Sequence, residues 1–259
     1  MSDKRVALVT AGASGIGRAI AARLLADGVS VHICDLDQTA LAACSYELPG
    51  VTSTACDASD ALQVDGLFAD LKQCYNRLDI LVNNVGIAGP TAPLEEISVE
   101  DWDRTIAVDL NSAFYVTRLA APMLKASKGS IVNMASNAAM FGFPLRSPYT
   151  AAKWALVGLT KTWAMELGPA GVNVNALCPG SVNGARIDHV IERDAKERGM
   201  SPGSIREVYQ RQSSMRVFVD AQDIAETVRF LCSPAGHNIS GQAIGIDGHT
   251  EGLSNWLTA

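Results

Sequence analysis

The sequence has no Cys-x-x-Cys pair, no apolar run of membrane length and no excess of positive charge, and each absence removes a class of function. Its six cysteines (Cys34, Cys44, Cys56, Cys74, Cys178 and Cys232) are scattered, with no histidine near them at ligand spacing. That argues against a disulfide framework and against a metal site, and leaves buried thiols in a reducing compartment as the reading. A net charge of −6 and a pI near 5.2 argue against a general binder of phosphate backbones, so no nucleic acid is expected as partner. Without a run of membrane length, no membrane association is expected either. Residues 1–5 are polar and lead straight into a short apolar run, which is not the form of a signal peptide. The expected location is the cytoplasm. No Pro/Ser-rich linker and no repeat of 20–50 residues divides the chain. With hydrophobic residues at 48% and charged residues at 19%, disorder is excluded and a sizeable core is expected.

What the chain does hold is alternation. Short β-branched or apolar runs at 5–10, 30–34, 51–56, 78–82, 130–133, 172–177 and 243–246 read as strands, each bounded by Gly, Asp, Asn or Pro. Helix-length segments at 15–27, 38–47, 60–73, 99–125, 148–167 and 221–231 fall between them. The pattern predicts an α/β protein, with residues 1–259 forming a single Rossmann-type, doubly wound domain whose seven-stranded parallel sheet carries helices on both faces. The positive mean hydropathy of +0.13 fits strands buried on both faces. Residues 181–216 break the rhythm as a charged, partly helical insertion at the carboxyl edge of the sheet, where ligands bind in such folds.

The first strand runs into a glycine turn, Thr10-Ala11-Gly12-Ala13-Ser14-Gly15-Ile16-Gly17. Glycines serve where a backbone turns sharply and approaches a pyrophosphate, and the helix that follows offers unpaired N–H groups to the phosphates. Gly12, Ser14, Gly15, Ile16 and Gly17 are therefore expected cofactor contacts. Asp35, 20 residues after Gly15, closes the second strand beside Leu36. A carboxylate there accepts hydrogen bonds from the adenosine ribose and repels a 2′-phosphate, and no basic residue at Ala13, Ser14 or Leu36 offsets it. NAD is the expected cofactor. Cys56, Asp57 and Ala58 end the third strand, where Asp57 either meets the adenine amino group or caps the next helix. Asn83 and Asn84 are expected to tie strand ends together, with Asn84, Val85 and Gly86 close to the cofactor. Pro179, Gly180 and Val182 form a rim after the sixth strand, although Pro-Gly is also an ordinary turn signal.

Tyr149 and Lys153 lie four residues apart behind Ser147-Pro148, a strong helix start with the serine as N-cap. They share one helix face. A free phenol loses its proton near pH 10, too high for a base at neutral pH. An ammonium about 4 Å away, at an effective dielectric of about 20, favours a phenolate by up to about 4 kcal/mol before desolvation losses. Ser136 ends the fifth strand at the nucleotide edge, and its hydroxyl either donates to a developing alkoxide or caps a turn. Asn111 is a polar residue of poor propensity inside the fourth helix, explained either by a role or by solvent exposure.

With these motifs in this order, the chain resembles the short-chain dehydrogenase/reductase family over essentially its whole length. The resemblance rests on Thr10–Gly17, Asp57, Asn83–Gly86, Asn111, Ser136, Tyr149-x-x-x-Lys153 and Pro179-Gly180. It implies NAD(P)-dependent interconversion of a secondary alcohol and a ketone. It also implies Tyr149 as acid/base, Lys153 as support for the phenolate and the nicotinamide ribose, and Ser136 as the group that positions the substrate oxygen. Asn111 would hold a water that links Lys153 to a proton relay. A homotetramer is implied, with the helices near Val99 and Pro148 packing against a neighbour's. Three positions depart from the family pattern. Ala11 stands where the first glycine usually falls, Val85 replaces an alanine, and Gly184 stands where a threonine is common.

Substrate contacts are expected from Ser136, Tyr149, Phe141 and Arg146, and from residues 181–216 acting as a lid. Met140, Phe141 and Phe143 supply either an apolar wall or packing. The lid holds seven Lys/Arg against five acids, which suits a polar or anionic substrate or merely solvated helix faces. The expected substrate is a small polar hydroxy compound: a polyol, a sugar or a hydroxy-acid derivative. Two rivals remain at this point. One is a 3-oxoacyl thioester reductase, against which Asp35 weighs; the other is a non-catalytic nucleotide-binding sensor, which has no need of a matched phenol and ammonium.

Overall fold

Seven strands form one parallel sheet in the order β3-β2-β1-β4-β5-β6-β7. They are β1 (Val6–Thr10), β2 (Ser30–Asp35), β3 (Thr52–Ala55), β4 (Ile80–Asn83), β5 (Ser130–Met134), β6 (Asn173–Pro179) and β7 (Ala243–Ile246). The computed structural model describes residues 4–253, so the sequence reading of residues 1–3 lies outside the described residues, as does the stretch 254–259. Every residue of β1, β4, β5 and β6 is buried, as expected for parallel strands covered on both faces.

Helices α1 (Gly15–Ala26), α2 (Gln38–Glu47) and α9 (Ala221–Leu231) cover one face, burying Ile20, Leu24, Leu41, Ile224 and Val228 in one core with strand residues such as Val9, Ile33, Val132 and Leu177. Helices α3 (Ala61–Cys74), α5 (Ser112–Ser127) and α6 (Ser147–Leu167) cover the other. In α3 the buried Val64, Leu67, Phe68 and Leu71 follow the three- and four-residue spacing that puts them on one side. Asp37 and Asp60 start α2 and α3 by accepting hydrogen bonds from first-turn amides.

Two helix readings differ from the structure. The single helix expected over 99–125 is α4 (Val99–Ile106) and α5 joined through a π-helical turn at Ala107–Asn111. A π turn inserts one residue into the helical repeat and so re-aims the side chains within it. In α6 the helix already includes Ser147, with Arg146 before it, and no side chain caps that end. Pro148 still falls in the first turn, where its missing N–H costs nothing.

The charged insertion folds as α7 (Ala185–Arg198) and α8 (Pro202–Arg211) around a small core of its own, including Val190, Ile191, Ile205, Tyr209 and Phe218. Its base is closed where the Val219 amide donates to the Ser181 carbonyl (2.8 Å) and the Asn183 amide donates to the Val219 carbonyl (2.9 Å). Among the described residues, no helix is long and apolar enough to cross a membrane.

Candidate active site

The sheet order reverses between β1 and β4, and a cavity of about 480 Å³ opens at their carboxyl ends. The split is strapped by side chains. Thr10 Oγ1 accepts from the Asn84 and Val85 amides at 2.9 and 3.3 Å, and Asn84 Nδ2 donates to the Thr10 and Ala11 carbonyls at 3.1 Å each. Deeper, Asn83 Nδ2 donates to Thr117 Oγ1 and Asn133 Oδ1, and Asn133 Nδ2 donates to Thr160 Oγ1. These amides tie β4 and β5 to the helices behind them.

The glycine turn divides its labour. A Cβ on Gly12 would lie 2.7 Å from Ile33 Cβ, and one on Gly17 would lie 2.1 Å from the Ala11 carbonyl, so both let backbone pack closely. Gly15 differs: its φ is +51°, a Cβ there would meet nothing within 4 Å, and it lines the cavity with Ser14 and Ile16. Ser14 makes no side-chain cap, which leaves the first amides of α1 for a ligand. Such a turn can hold an anionic group. Ala11 sits at φ +48°, a left-handed conformation that the usual glycine would adopt without strain. Gly184, at φ +138° before α7, holds a conformation that a threonine rarely adopts.

Asp35 ends β2 with its carboxylate accepting from the Ala13 and Asp37 amides, both at 3.2 Å. Leu36 beside it is exposed. Asp57 Oδ1 accepts from the Ser59 amide and hydroxyl, while Asp60 caps α3. The structure brings Ser14, Gly15, Ile16, Asn84, Gly86, Pro179, Gly180 and Val182 to the cavity wall. It does not bring Gly12, Gly17, Asp35, Leu36, Cys56, Asp57, Ala58 or Val85 there. Val85 packs instead against the core on the α3–α5–α6 side, so its added bulk lies away from the cavity.

Ser136, Tyr149 and Lys153 line the same cavity. Ser136 Oγ sits 3.2 Å from both Asn137 Oδ1 and the Ala138 amide, so it holds a short helical turn as well as facing the site. Lys153 Nζ lies 5.5 Å from the Tyr149 ring centre and donates to the Met134 carbonyl at 3.2 Å. Its charged partner is Asp109, whose Oδ2 is 3.3 Å away in a fully buried pair. Asp109 Oδ1 also accepts from the Ile87 amide at 2.7 Å. Here the sequence reading needs correction: Asp109, two residues before Asn111, is the helix residue that meets Lys153, and Asn111 is not part of the cavity wall. The π turn carries Asp109 inward.

Phe141, expected at the substrate, does not line the cavity; Phe143 does, edge-on to Tyr209. Arg146 is buried at the wall, with Nη1 donating to Thr91 Oγ1 at 2.6 Å and Cζ 5.7 Å from the Tyr149 ring centre. Burial pushes its guanidinium below the ordinary arginine value; Tyr209 and Tyr149 oppose the shift, and Arg193 and Arg186 add to it more weakly. Burial likewise pushes Tyr209 well above the usual phenol range, and Cys178 up to about 11, which keeps that thiol protonated at neutral pH.

A family model described as enoyl-(acyl carrier protein) reductase matches residues 10–250. The chain is 34% identical to the 3-oxoacyl-[acyl-carrier-protein] reductase of Thermotoga maritima over 95% of this chain and 97% of that one. It is 39% identical to the 2-dehydro-3-deoxy-L-rhamnonate dehydrogenase (NAD(+)) of a Sphingomonas species, over 72% of this chain and 75% of that one. A crystal structure of an actinorhodin polyketide ketoreductase variant with NADPH superposes with a TM-score of 0.91 at 31% identity, covering 98% of each chain.

Proposed function

The chain belongs to the short-chain dehydrogenase/reductase family of oxidoreductases acting on CH–OH groups, and from that premise we propose that it is an NAD-dependent dehydrogenase of a small polar hydroxy compound. The observation that carries this reading is one cavity lined by Ser14, Gly15 and Ile16 at one end and by Ser136, Tyr149 and Lys153 at the other. The first group would hold the pyrophosphate of a nicotinamide cofactor, which supplies the hydride acceptor and donor.

In this reading the phenol oxygen of Tyr149 takes the proton from a substrate hydroxyl and returns it in the reverse direction. Ser136 Oγ donates to the substrate oxygen as charge develops there. Lys153, fixed by Asp109 and the Met134 carbonyl, holds the nicotinamide ribose and keeps a positive charge beside the phenol ring. Asp35 is the ribose partner at the adenosine end and supports NAD over NADP; Arg18 nearby on α1 is engaged by Glu47. The whole chain acts as one domain, with residues 181–216 as the lid over the substrate. Trp102, Phe114, Trp154 and Met165 stand exposed on α4, α5 and α6, which supports packing of these helices against further copies in a homotetramer.

Reduction of 3-oxoacyl thioesters is the second reading, favoured by the likeness to the Thermotoga reductase. The test is nicotinamide absorbance with a panel of secondary alcohols, hydroxy acids and oxoacyl thioesters, run with NAD(H) and NADP(H) in parallel. Tyr149→Phe should lower turnover by about 10³-fold while NADH affinity stays within about threefold. Undiminished turnover in that variant would sink the assignment.

A further inference from the structure

Arg146 is a buried cation with no counter-charge among the described residues. It is 4% exposed, it lines the cavity, and no aspartate or glutamate lies within ion-pair distance of it. Of its three guanidinium nitrogens, Nη1 donates to Thr91, while Nε is buried without a partner and Nη2 makes no hydrogen bond. The Nε–Nη2 edge is the one that carboxylates engage with two parallel hydrogen bonds.

The rings of Phe143 and Tyr149 lie within cation–π range of it, but no acid offsets its charge among the described residues. Among the described residues, the cavity wall includes Arg146, Lys153 and Arg186 and no acid. Lys153 is neutralised by Asp109, whereas Arg186 and Arg146 make no ion pair among the described residues. The buried Asp194 of α7 is held by Arg198. A clamp for the chain around Thr91 would need a hydrogen-bond donor there but no charge, and a guanidinium keeps its charge at any physiological pH. A buried charge is ordinarily paired, and none of the described residues supplies the pair here.

We infer that Arg146 is the specificity-determining residue that anchors an oxoanion on the substrate, so that the substrate is a short hydroxy acid or its oxo counterpart and not a neutral polyol. This rests on the dehydrogenase reading above and narrows it. Arg146 precedes Tyr149 by one helical turn, and its Cζ lies 5.7 Å from that ring centre and 5.5 Å from the Phe143 ring centre. Arg146 and Tyr149 thus line the same stretch of the cavity, close enough for one short substrate to reach both. The chemistry shared by carboxylate, sulfonate and phosphate is the same for this edge, with the planar carboxylate fitting it best.

The experiment compares matched pairs with NAD: 3-hydroxybutanoate against 3-hydroxybutanamide, and lactate against lactamide, with 2-hydroxypropanesulfonate and glycerol 3-phosphate as the other anions. The native enzyme should favour the acid over its amide by about 100-fold in kcat/KM. In Arg146→Met that ratio should collapse by about the same factor, chiefly through KM of the acid, and Arg146→Lys should restore part of it. Independently of turnover, calorimetric titration of the NADH complex with propanoate, ethanesulfonate and inorganic phosphate should show binding of at least one in the native protein and none in Arg146→Met. An acid-to-amide ratio near one in an active native enzyme, an unchanged ratio in Arg146→Met, or binding of none of the three anions overturns the inference and leaves the dehydrogenase standing. Silence of the native enzyme on every alcohol and acid with both cofactors overturns both.

Discussion

Asp109 and Lys153 face each other in a buried ion pair, Oδ2 to Nζ 3.3 Å, with Lys153 at the cavity wall and Asp109 behind it. Gly86 closes over them: a Cβ on it would lie 3.2 Å from Lys153 Nζ and 3.3 Å from Asp109 Oδ2. The carboxylate also holds the Ile87 amide, so one side chain fixes both the lysine and the chain that leaves β4. Asp109→Ala should therefore cost about 3–5 kcal/mol, because it strands a buried ammonium, and should lower kcat at least about tenfold. Asp109→Asn, which keeps the shape and an acceptor, should cost less on both counts. Urea unfolding and steady-state kinetics check this together.

The adenosine end carries its own expectation. Asp35→Ala removes the carboxylate held by the Ala13 and Asp37 amides. Loosening that turn weakens both cofactors, so the informative quantity is the ratio of kcat/KM for NAD to that for NADP. It should fall by about tenfold or more. An unchanged ratio would mean that another residue meets the ribose.

His32 makes stability depend on pH. It is buried in β2 between Thr52 Oγ1 (2.8 Å) and Thr54 Oγ1 (3.1 Å), and burial lowers its pKa from 6.5 to about 4. The folded protein keeps this imidazole neutral where the unfolded chain protonates it. Its contribution is therefore full above pH 6.5 and is lost as pH falls toward 4, amounting to about 3 kcal/mol. The urea midpoint should drop across that window, and His32→Gln should flatten the drop.

Two glycines should respond in opposite directions to the same substitution. Gly17→Ala drives a methyl into the Ala11 carbonyl and should destabilise by about 1–3 kcal/mol. Gly66→Ala in α3 meets nothing within 4 Å and should stabilise by about 0.5–1 kcal/mol through helix propensity alone. Thermal melts of the two variants read this directly.

The strands were legible because parallel strands covered on both faces must be short, apolar and β-branched, and runs such as Val6–Thr10 have no other easy home. Tyr149 and Lys153 were legible because a four-residue spacing fixes a shared helix face whatever surrounds it. Asp109 was hidden by the π turn, since Ala107–Asn111 has the composition of ordinary helix and nothing local marks the extra residue. A charged side chain inside the apolar run Ala107-Val108-Asp109-Leu110 was the one available sign. The choice of Phe143 over Phe141 and the isolation of Arg146 both depend on how α7 and α8 fold back over the site, which is tertiary information. Likewise the separate duties of Gly12, Gly15 and Gly17 come from what each glycine faces, and a spacing pattern treats them alike.

The charged insertion stands on a stem. Its two ends meet where Ser181 and Asn183 pair with Val219, and much of what lies between packs on itself and on Ala88 and Phe143, while Gln212, Ser214 and Met215 hydrogen-bond to the 248–251 backbone and Arg193 to the Gly89 carbonyl. Residues 184–218 thus form a unit that is also tied, through Gln212, Ser214 and Met215, to residues 248–251, where Thr250 in turn meets Asn137 beside Ser136. Divergence within this unit changes the cavity wall at residues 184–187, 190, 209 and 212, and a graft that keeps the 212–215 contacts with 248–251 is the natural way to exchange it.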